Sequence, residues 1–273
     1  MLQASADSAT EVDAVCVNET TMMTTFSSPD KIKPTAPPYD KYRRILLLGE
    51  ADFSFTRAFA KAFSERNSIN AHMEITATEY GNGTDIANRY YDGNITSLSQ
   101  SMNSIYKLAP VKEILSGLNA RLLGDKDCTC QRWNAEKQKW DAPSQFWQDP
   151  PKFDLIIFNF PHSDQAGRAT KLIKALFKQI RICISDDRLR DDIVLEMRLR
   201  FLEMDPKLKK NIRSHYKHEE AAEENQFELV GCWESDLDRW EKLGYQHKWT
   251  KRNASCRDVG LACKIWRWTP KYP

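Results

Sequence analysis

From residue 45 onward, short wholly apolar runs alternate with longer segments whose apolar positions recur every three to four residues. ILLL (45–48) is the pattern of a short strand buried on both faces. In FTRAFAKAFSER (55–66), Phe55, Phe59 and Phe63 fall at i, i+4 and i+8 and share one face of a helix, for which Asp52 or Ser54 supplies the cap. MEITATEY (73–80) predicts a second strand stopped by the turn GNG, and TDIANRYY a short helix opened by Thr84. A polar helical stretch runs through SLSQSMNSIYKL, and ARLLG (120–124) reads as the third strand. Residues 128–150, rich in Trp, Gln and Lys, read as a surface insertion. FDLIIFNF (153–160) is the strongest strand pattern, GRATKLIKALFKQIRICI (167–184) a basic amphipathic helix, DDIVLEMRL (191–199) another strand, and VGLACKIWRW (259–268) a last, edge-like strand. Strands and helices alternating at this spacing predict βαβ units, and so an α/β fold around a doubly wound, mainly parallel sheet.

Ahead of Arg43 the pattern disappears. Nine of the first 30 residues are Ser or Thr and KIKPTAPPYDK ends the stretch in prolines, so residues 1–42 are expected to be a disordered tail. The folded domain is expected over 43–270, with insertions near 128–150 and 200–226. The tail also hides a charge asymmetry. Residues 1–41 hold three Lys or Arg against six Asp or Glu, leaving 37 against 32 in the remainder. That excess permits nucleic-acid contact without demanding it. Seven cysteines, an odd number, suit free thiols in a reducing compartment, and the one close pair, Cys128 and Cys130, lacks the second pair or histidines of a structural metal site. There is no apolar run long enough to span a membrane, and the N-terminus lacks both the apolar core of a secretory signal and the arginines of a mitochondrial presequence.

The chemistry gathers at the ends of the predicted strands, where doubly wound sheets bind ligands. The first strand delivers the chain to GEADFS (49–54). A dinucleotide turn needs G-x-G-x-x-G so that backbone N–H groups can approach a pyrophosphate. Here one glycine of three is present, and Glu50 and Asp52 would repel a phosphate. A cationic nucleoside suits the turn better. S-adenosyl-L-methionine (SAM), with a sulfonium, an ammonium and no phosphate, meets that requirement; helix capping by the two acids is the competing explanation. Glu79 ends the second strand, where an acid accepts hydrogen bonds from ribose hydroxyls, although it lies 30 residues after Gly49 and not the usual ~20.

NFPH (159–162) follows the strongest strand. Asn159 offers an acceptor and a donor to a base edge, Phe160 a stacking face, Pro161 a stiff turn and His162 a proton acceptor near neutral pH. A strand-ending turn with a surface histidine is the plain alternative.

Together ILLLGEADFSF, FDLIIFNFPH and LGYQHKWT (243–250) resemble the Bmt-five-like family of rRNA uridine-N3 methyltransferases, over roughly residues 43–268, with Leu243 in place of the family's proline. The resemblance implies a Rossmann-like domain of the class I methyltransferase type and SAM-dependent methylation of N3 of a uridine in large-subunit rRNA. It implies that Gly49, Glu50, Asp52, Phe53 and Ser54 line the methionine end of the cofactor, that Glu79 takes the ribose and that Asp127 faces the adenine. Asn159, Phe160, Pro161 and His162 would hold the target base, with His162, or secondly Asp164, taking the N3 proton. Ala51 departs from the family's usual glycine, residues 200–226 fit the family poorly, and the 128–150 insertion does not align with it.

The implied partners are rRNA or a pre-ribosomal particle, and the implied location is the nucleolus or nucleus, with the cytoplasm open. Lys207, Lys209, Lys210 and Arg213 form a basic cluster suited to RNA, but EEAAEE follows at once, so ion pairs along a solvated helix explain it equally. Trp133, Trp140, Phe146 and Trp147 either stack on exposed bases or pack the insertion onto the domain. A methyltransferase-like assembly factor without catalysis stays open beside the enzyme; a nucleotide-dependent oxidoreductase is disfavoured by the missing glycines.

Overall fold

The computed structural model describes residues 39–64, 73–118, 129–146, 152–159, 161, 168–201, 217–246 and 262–271. All of them fall in one compact unit, Ile32–Pro273. In chain order the elements are β1 (Arg44–Leu48), α1 (Ser54–Ser64), β2 (Glu74–Glu79), α2 (Gly83–Tyr90), α3 (Ile95–Tyr106), β3 (Val111–Ser116), β4 (Thr129–Asn134), β5 (Lys139–Trp140), β6 (Ser144–Gln145) and β7 (Leu155–Asn159). Then follow α4 (Arg168–Ser185), β8 (Val194–Phe201), α5 (His218–Glu224), β9 (Phe227–Glu234), α6 (Leu237–Lys242) and β10 (Ala262–Pro270).

The strands join in the order β5-β4-β3-β2-β1-β7-β8-β10-β9, with β6 paired to β4. From β3 to β8 the sheet is parallel. β10 runs antiparallel to both β8 and β9, and β4 antiparallel to β3. This is the doubly wound, mainly parallel sheet that the sequence pattern predicts. The chain builds outward from β1 through β2 to β3 and then returns to β1's other side as β7. The strand order therefore reverses between β1 and β7, and a crevice opens beyond their carboxyl ends.

The unbroken apolar runs of β1 and β7 follow from burial on both faces. Ile45, Leu47, Leu155 and Ile157 pack on one side with Phe55, Phe59 and Phe63 of α1. Leu46, Leu48, Ile156 and Phe158 pack on the other with Ile173, Leu176, Phe177 and Ile180 of α4. At about 2 kcal/mol for each buried phenylalanine, tertiary packing holds α1 far more firmly than its own propensity would.

Several sequence expectations change. The third strand is Val111–Ser116, not 120–124, which lies outside the described residues. After its buried first position come the charged Lys112 and Glu113, the latter pairing with Arg132 at 2.8 Å, and they mask the apolar pattern. Asn82, within the GNG turn, caps α2 in place of Thr84, in a reciprocal capping box with Asp85. The segment after 128 extends the sheet as β4, β5 and β6, and Trp133 is buried in the core. The last strand, β10, is interior, because β9, which had no sequence assignment, forms the edge. Tyr39 and Tyr42 belong to the core, so folded residues begin ahead of Arg43.

Candidate active site

The turn after β1 is shaped by backbone geometry that few residues accept. Gly49 has φ +66°, and a Cβ there would stand 2.9 Å from the Phe158 ring, so the position requires glycine. Ala51 (φ 54°) and Phe53 (φ 60°) also occupy the left-handed region. Phe53 is wholly buried, so its side chain anchors the turn from beneath.

Three carboxyl groups converge on this turn. Oε2 of Glu50 accepts the N–H and the hydroxyl of Thr56, each at 2.8 Å, while Oε1 accepts from Nδ2 of Asn159 at 3.2 Å. Oδ1 of Asp52 accepts the N–H of Ser54 at 3.0 Å. Glu79 reaches across from β2, and its Oε2 accepts the N–H of Ala51 at 2.8 Å. Glu50 and Asp52 thus do satisfy two of the free N–H groups of α1, those of Thr56 and Ser54, the capping role weighed from sequence. Ser54 is not the cap, because its hydroxyl is used elsewhere.

Burial pushes the Glu50 carboxyl up to about 7; the hydrogen bonds from Thr56 and Asn159 pull it back in part, and the charge of Asp52 adds to the rise. Burial pushes Glu79 up to about 7 as well, against the N–H groups of Ala51, Tyr80 and Gly81. Both groups therefore titrate where a cationic ligand would tip them toward the charged form.

The other two motifs meet the same turn. Asn159 ends β7 beside it and is only 8% exposed. Its Oδ1 accepts from Nη1 of Arg198 at 2.8 Å, so both ends of the amide are engaged within the protein. Pro161 is buried. The Ser54 hydroxyl bonds both the carbonyl and the N–H of Gln246, at 3.0 and 3.2 Å, which brings LGYQ to the start of α1. Tyr245 packs its ring 5.5 Å from that of Phe55. Phe160, His162, Asp127, Asp164, Trp147, Lys207, Lys209, Lys210 and Arg213 lie outside the described residues.

Some site residues do not stand out in the sequence. Tyr80, immediately after Glu79, is 57% exposed at the carboxyl end of β2. The Tyr91 hydroxyl donates to the carbonyl of Asp52 at 3.0 Å. Arg198 and Glu196 leave a faint signal, as charged residues two apart in a largely apolar strand and hence on one face. Of the insertion aromatics, Trp133 donates from Nε1 to Oδ1 of Asn103 at 3.1 Å and meets Trp140 edge-on at 5.3 Å. Trp140 in turn lies so close over Gly83 that a side chain there would collide with it. These two rings are packing residues.

The residue types suit SAM: a cation and a ribose diol call for carboxyl groups, which this turn gathers, and Gly49 permits the close approach to Phe158 that a Cβ would block. Among the described residues no group of His, Cys, Asp and Glu is placed to hold a metal ion.

Residues 46–249 match the model of a family described as rRNA (uridine-N3-)-methyltransferase BTM5-like. No curated protein matches the chain in sequence. Among solved structures, the 16S rRNA methyltransferase KamB is similar at 11% identity and a TM-score of 0.44, over 89% of this chain and 90% of that one. The aminoglycoside-resistance methyltransferase NpmB1 follows at 12% and 0.42, over 84% and 87% of the two chains. A phosphoethanolamine N-methyltransferase 2 of Haemonchus contortus, in complex with S-adenosylhomocysteine, gives 10% and 0.43, over 86% and 51%. At such distances these likenesses carry no weight on function. The family match does, for it spans GEADFSF, NFPH and LGYQHKW, and of these the fold joins Asn159 to Glu50 and Gln246 to Ser54 at one turn. The chain belongs to the BMT5-like family of rRNA (uridine-N3-)-methyltransferases and is a SAM-dependent enzyme.

Proposed function

We propose that the crevice beyond β1 and β7 holds SAM against residues 49–54 and Glu79, and presents N3 of a large-subunit rRNA uridine at the NFPH turn. One observation carries this reading: Asn159 bonds Glu50 while Gln246 bonds Ser54, so that all three family motifs share one turn at the reversal point of the sheet.

SAM supplies an electrophilic methyl group on a cationic sulfur. The chain's contribution is positioning and desolvation. Glu79, fixed to Ala51, offers its carboxylate to the ribose diol, and the exposed Tyr80 ring beside it provides a stacking face for the adenine. Asp52 and the backbone of 49–54 face the methionine end. Glu50 works from beneath, since its carboxyl is committed to Thr56 and Asn159 and shapes the turn from inside. Methylation of N3 requires its proton to leave, and His162, with Asp164 as second choice, takes that proton. Asn159 is locked inward, so base contacts at this turn pass to Phe160, the backbone and His162. Asp127 faces the adenine, and Lys207, Lys209, Lys210 and Arg213 contact rRNA phosphates on a pre-ribosomal particle in the nucleolus or nucleus. A uridine in a loop or an assembly intermediate avoids the few kcal/mol that flipping a paired base would cost. Residues 43–270 act as one methyltransferase domain, completed by the packing of Tyr39 and Tyr42.

The test is calorimetric titration of SAM into the full chain beside Glu79→Ala, followed by methylation of rRNA with wild type and His162→Ala. Wild type should bind at micromolar concentration and Glu79→Ala at least tenfold more weakly, while His162→Ala loses turnover and keeps SAM affinity. No binding at millimolar SAM would overturn the cofactor assignment. Binding without methylation would favour an RNA-binding assembly factor.

A further inference from the structure

Arg198 is wholly buried on β8, directly across the parallel register from Asn159 on β7. Nη1 donates to Oδ1 of Asn159 at 2.8 Å and lies 2.9 Å from Oε1 of Glu196. Nη2 donates to the Tyr39 hydroxyl at 2.8 Å and stands 3.6 Å from Asp236. The guanidinium carbon sits 4.8 Å over the Phe55 ring. Glu196 is shared with a second buried guanidinium, Arg267, whose Nε lies 2.7 Å from Oε2, and it also accepts from the Tyr39 hydroxyl at 2.8 Å.

Stability alone explains such a cluster poorly, because apolar side chains of similar volume often replace buried ion pairs without loss. The hydrogen-bond inventory supplies another reason. A guanidinium only donates, so it compels Asn159 to turn Oδ1 toward β8. The Nδ2 end, which also only donates, must then face Glu50. We infer that Arg198 is a positioning residue, which locks the Asn159 amide so that it delivers an N–H to the Glu50 carboxyl beneath the cofactor turn. This rests on the proposed cofactor site.

The consequence is a pH signature. Besides the Asn159 amide, Glu50 faces Asp52 in its own turn, Thr56 from α1 and, beyond the amide, Arg198 from β8, while Glu79 holds the next residue of the turn, Ala51. Glu79 titrates in the same range and contributes equally to every variant that keeps it, so a difference between variants reports on Glu50. Without Arg198 the amide is free to turn over and set Oδ1 against the carboxylate, which raises the pH at which Glu50 ionises.

The experiment measures SAM affinity from pH 5.5 to 9 for wild type, Arg198→Met, Asn159→Ala and the double variant, with melting temperatures alongside. Wild-type affinity should rise with pH through neutrality. In Arg198→Met the midpoint should move up by about one pH unit and affinity at pH 7 should fall several-fold. The double variant should bind no more weakly than Asn159→Ala alone, because the route through the amide is already gone. A folded Arg198→Met with an unmoved midpoint, or losses that add in the double variant, would overturn the inference and leave Arg198 merely structural. If Arg198→Met does not fold, Arg198→Lys keeps the charge beside Glu196 but loses the fork that reaches Asn159, and the same shift is expected of it. Wild type failing to bind SAM at any pH would overturn the cofactor site itself, a result distinct from an unmoved midpoint.

Discussion

Ser54 and Gln246, 192 residues apart, exchange two hydrogen bonds: the hydroxyl donates to the carbonyl at 3.0 Å and accepts the N–H at 3.2 Å. One small side chain at the start of α1 thereby captures the segment following α6. Trp240 of α6 stacks on Phe59 of α1, with ring centroids 5.4 Å apart, and Tyr245 packs on Phe55. The C-terminal motif is thus tied to the cofactor turn by one polar clasp set in aromatic packing.

Ser54→Ala tests that clasp. It leaves two backbone groups of Gln246 without their partner, which costs about 1–3 kcal/mol if water does not replace it. Urea denaturation should show that loss, and calorimetry should show weaker SAM binding. Unchanged stability together with unchanged affinity would mean that the segment does not dock there in solution.

The N-terminal limit of the folded unit makes a second prediction. The Tyr39 ring meets Phe59 at 5.1 Å, and its hydroxyl is bonded to both Glu196 and Arg198. A chain starting at Tyr39 should melt several degrees above one starting at Arg43. Tyr39→Phe in the full chain should cost about 2–3 kcal/mol, the value of hydrogen bonds to buried charges. Equal melting temperatures for the two truncations would place Tyr39 outside the core.

Ala51 stands at φ 54°, where a Cβ is disfavoured by about 1–2 kcal/mol. Ala51→Gly relieves that strain but frees the unfolded chain, which returns about half of the gain. Denaturation should therefore show a stabilisation of ~0.5–1 kcal/mol with SAM affinity retained. A destabilised Ala51→Gly would show that the methyl group makes contacts worth more than the strain.

The buried acids give stability and ligand affinity opposite pH dependences. Glu50 and Glu79 are raised from the ordinary 4.5 to about 7 in the folded protein. Their contribution to stability is fully present below pH 4.5 and is lost as pH rises through 7, since the unfolded chain ionises first. SAM, a cation, favours the ionised carboxylates, so its affinity should rise over the same interval. Melting curves at several pH values, with and without SAM, should show the shift on binding growing toward pH 8. A Glu50→Gln/Glu79→Gln variant should flatten both trends. A wild-type shift on binding that does not change with pH would show that neither carboxyl titrates at the site.

Much of the fold was legible in the sequence because burial on both faces leaves an unmistakable pattern. ILLL and LIIF could be little else than central parallel strands, and the Phe55, Phe59, Phe63 spacing allowed one orientation of α1. The place of the turn at 49–54 was legible for a similar reason, since a lone glycine after a buried strand marks its end, and the two acids that follow disfavour a pyrophosphate. Where the pattern is mixed the sequence was silent. Val111–Ser116 carries two charged residues, Lys112 and Glu113, after its buried first position, and Phe227–Glu234 is half exposed at the sheet's edge, so neither carries a clean period.

The sequence by itself determined the α/β class, the switch-point turn, the acid at the end of β2 and the three motifs that mark the family. Which of those side chains touch was decided only by tertiary structure. Asn159 looked available for a base, yet the sheet sets it beside Arg198 and turns both ends of its amide inward. Glu50 looked like a cofactor ligand, yet α1 draws it under the turn. The reason is physical: side-chain partners in a sheet are fixed by register between strands that lie far apart in the chain, and a donor or acceptor is available only if no nearer partner already holds it. That relation between strands is absent from any local stretch of residues.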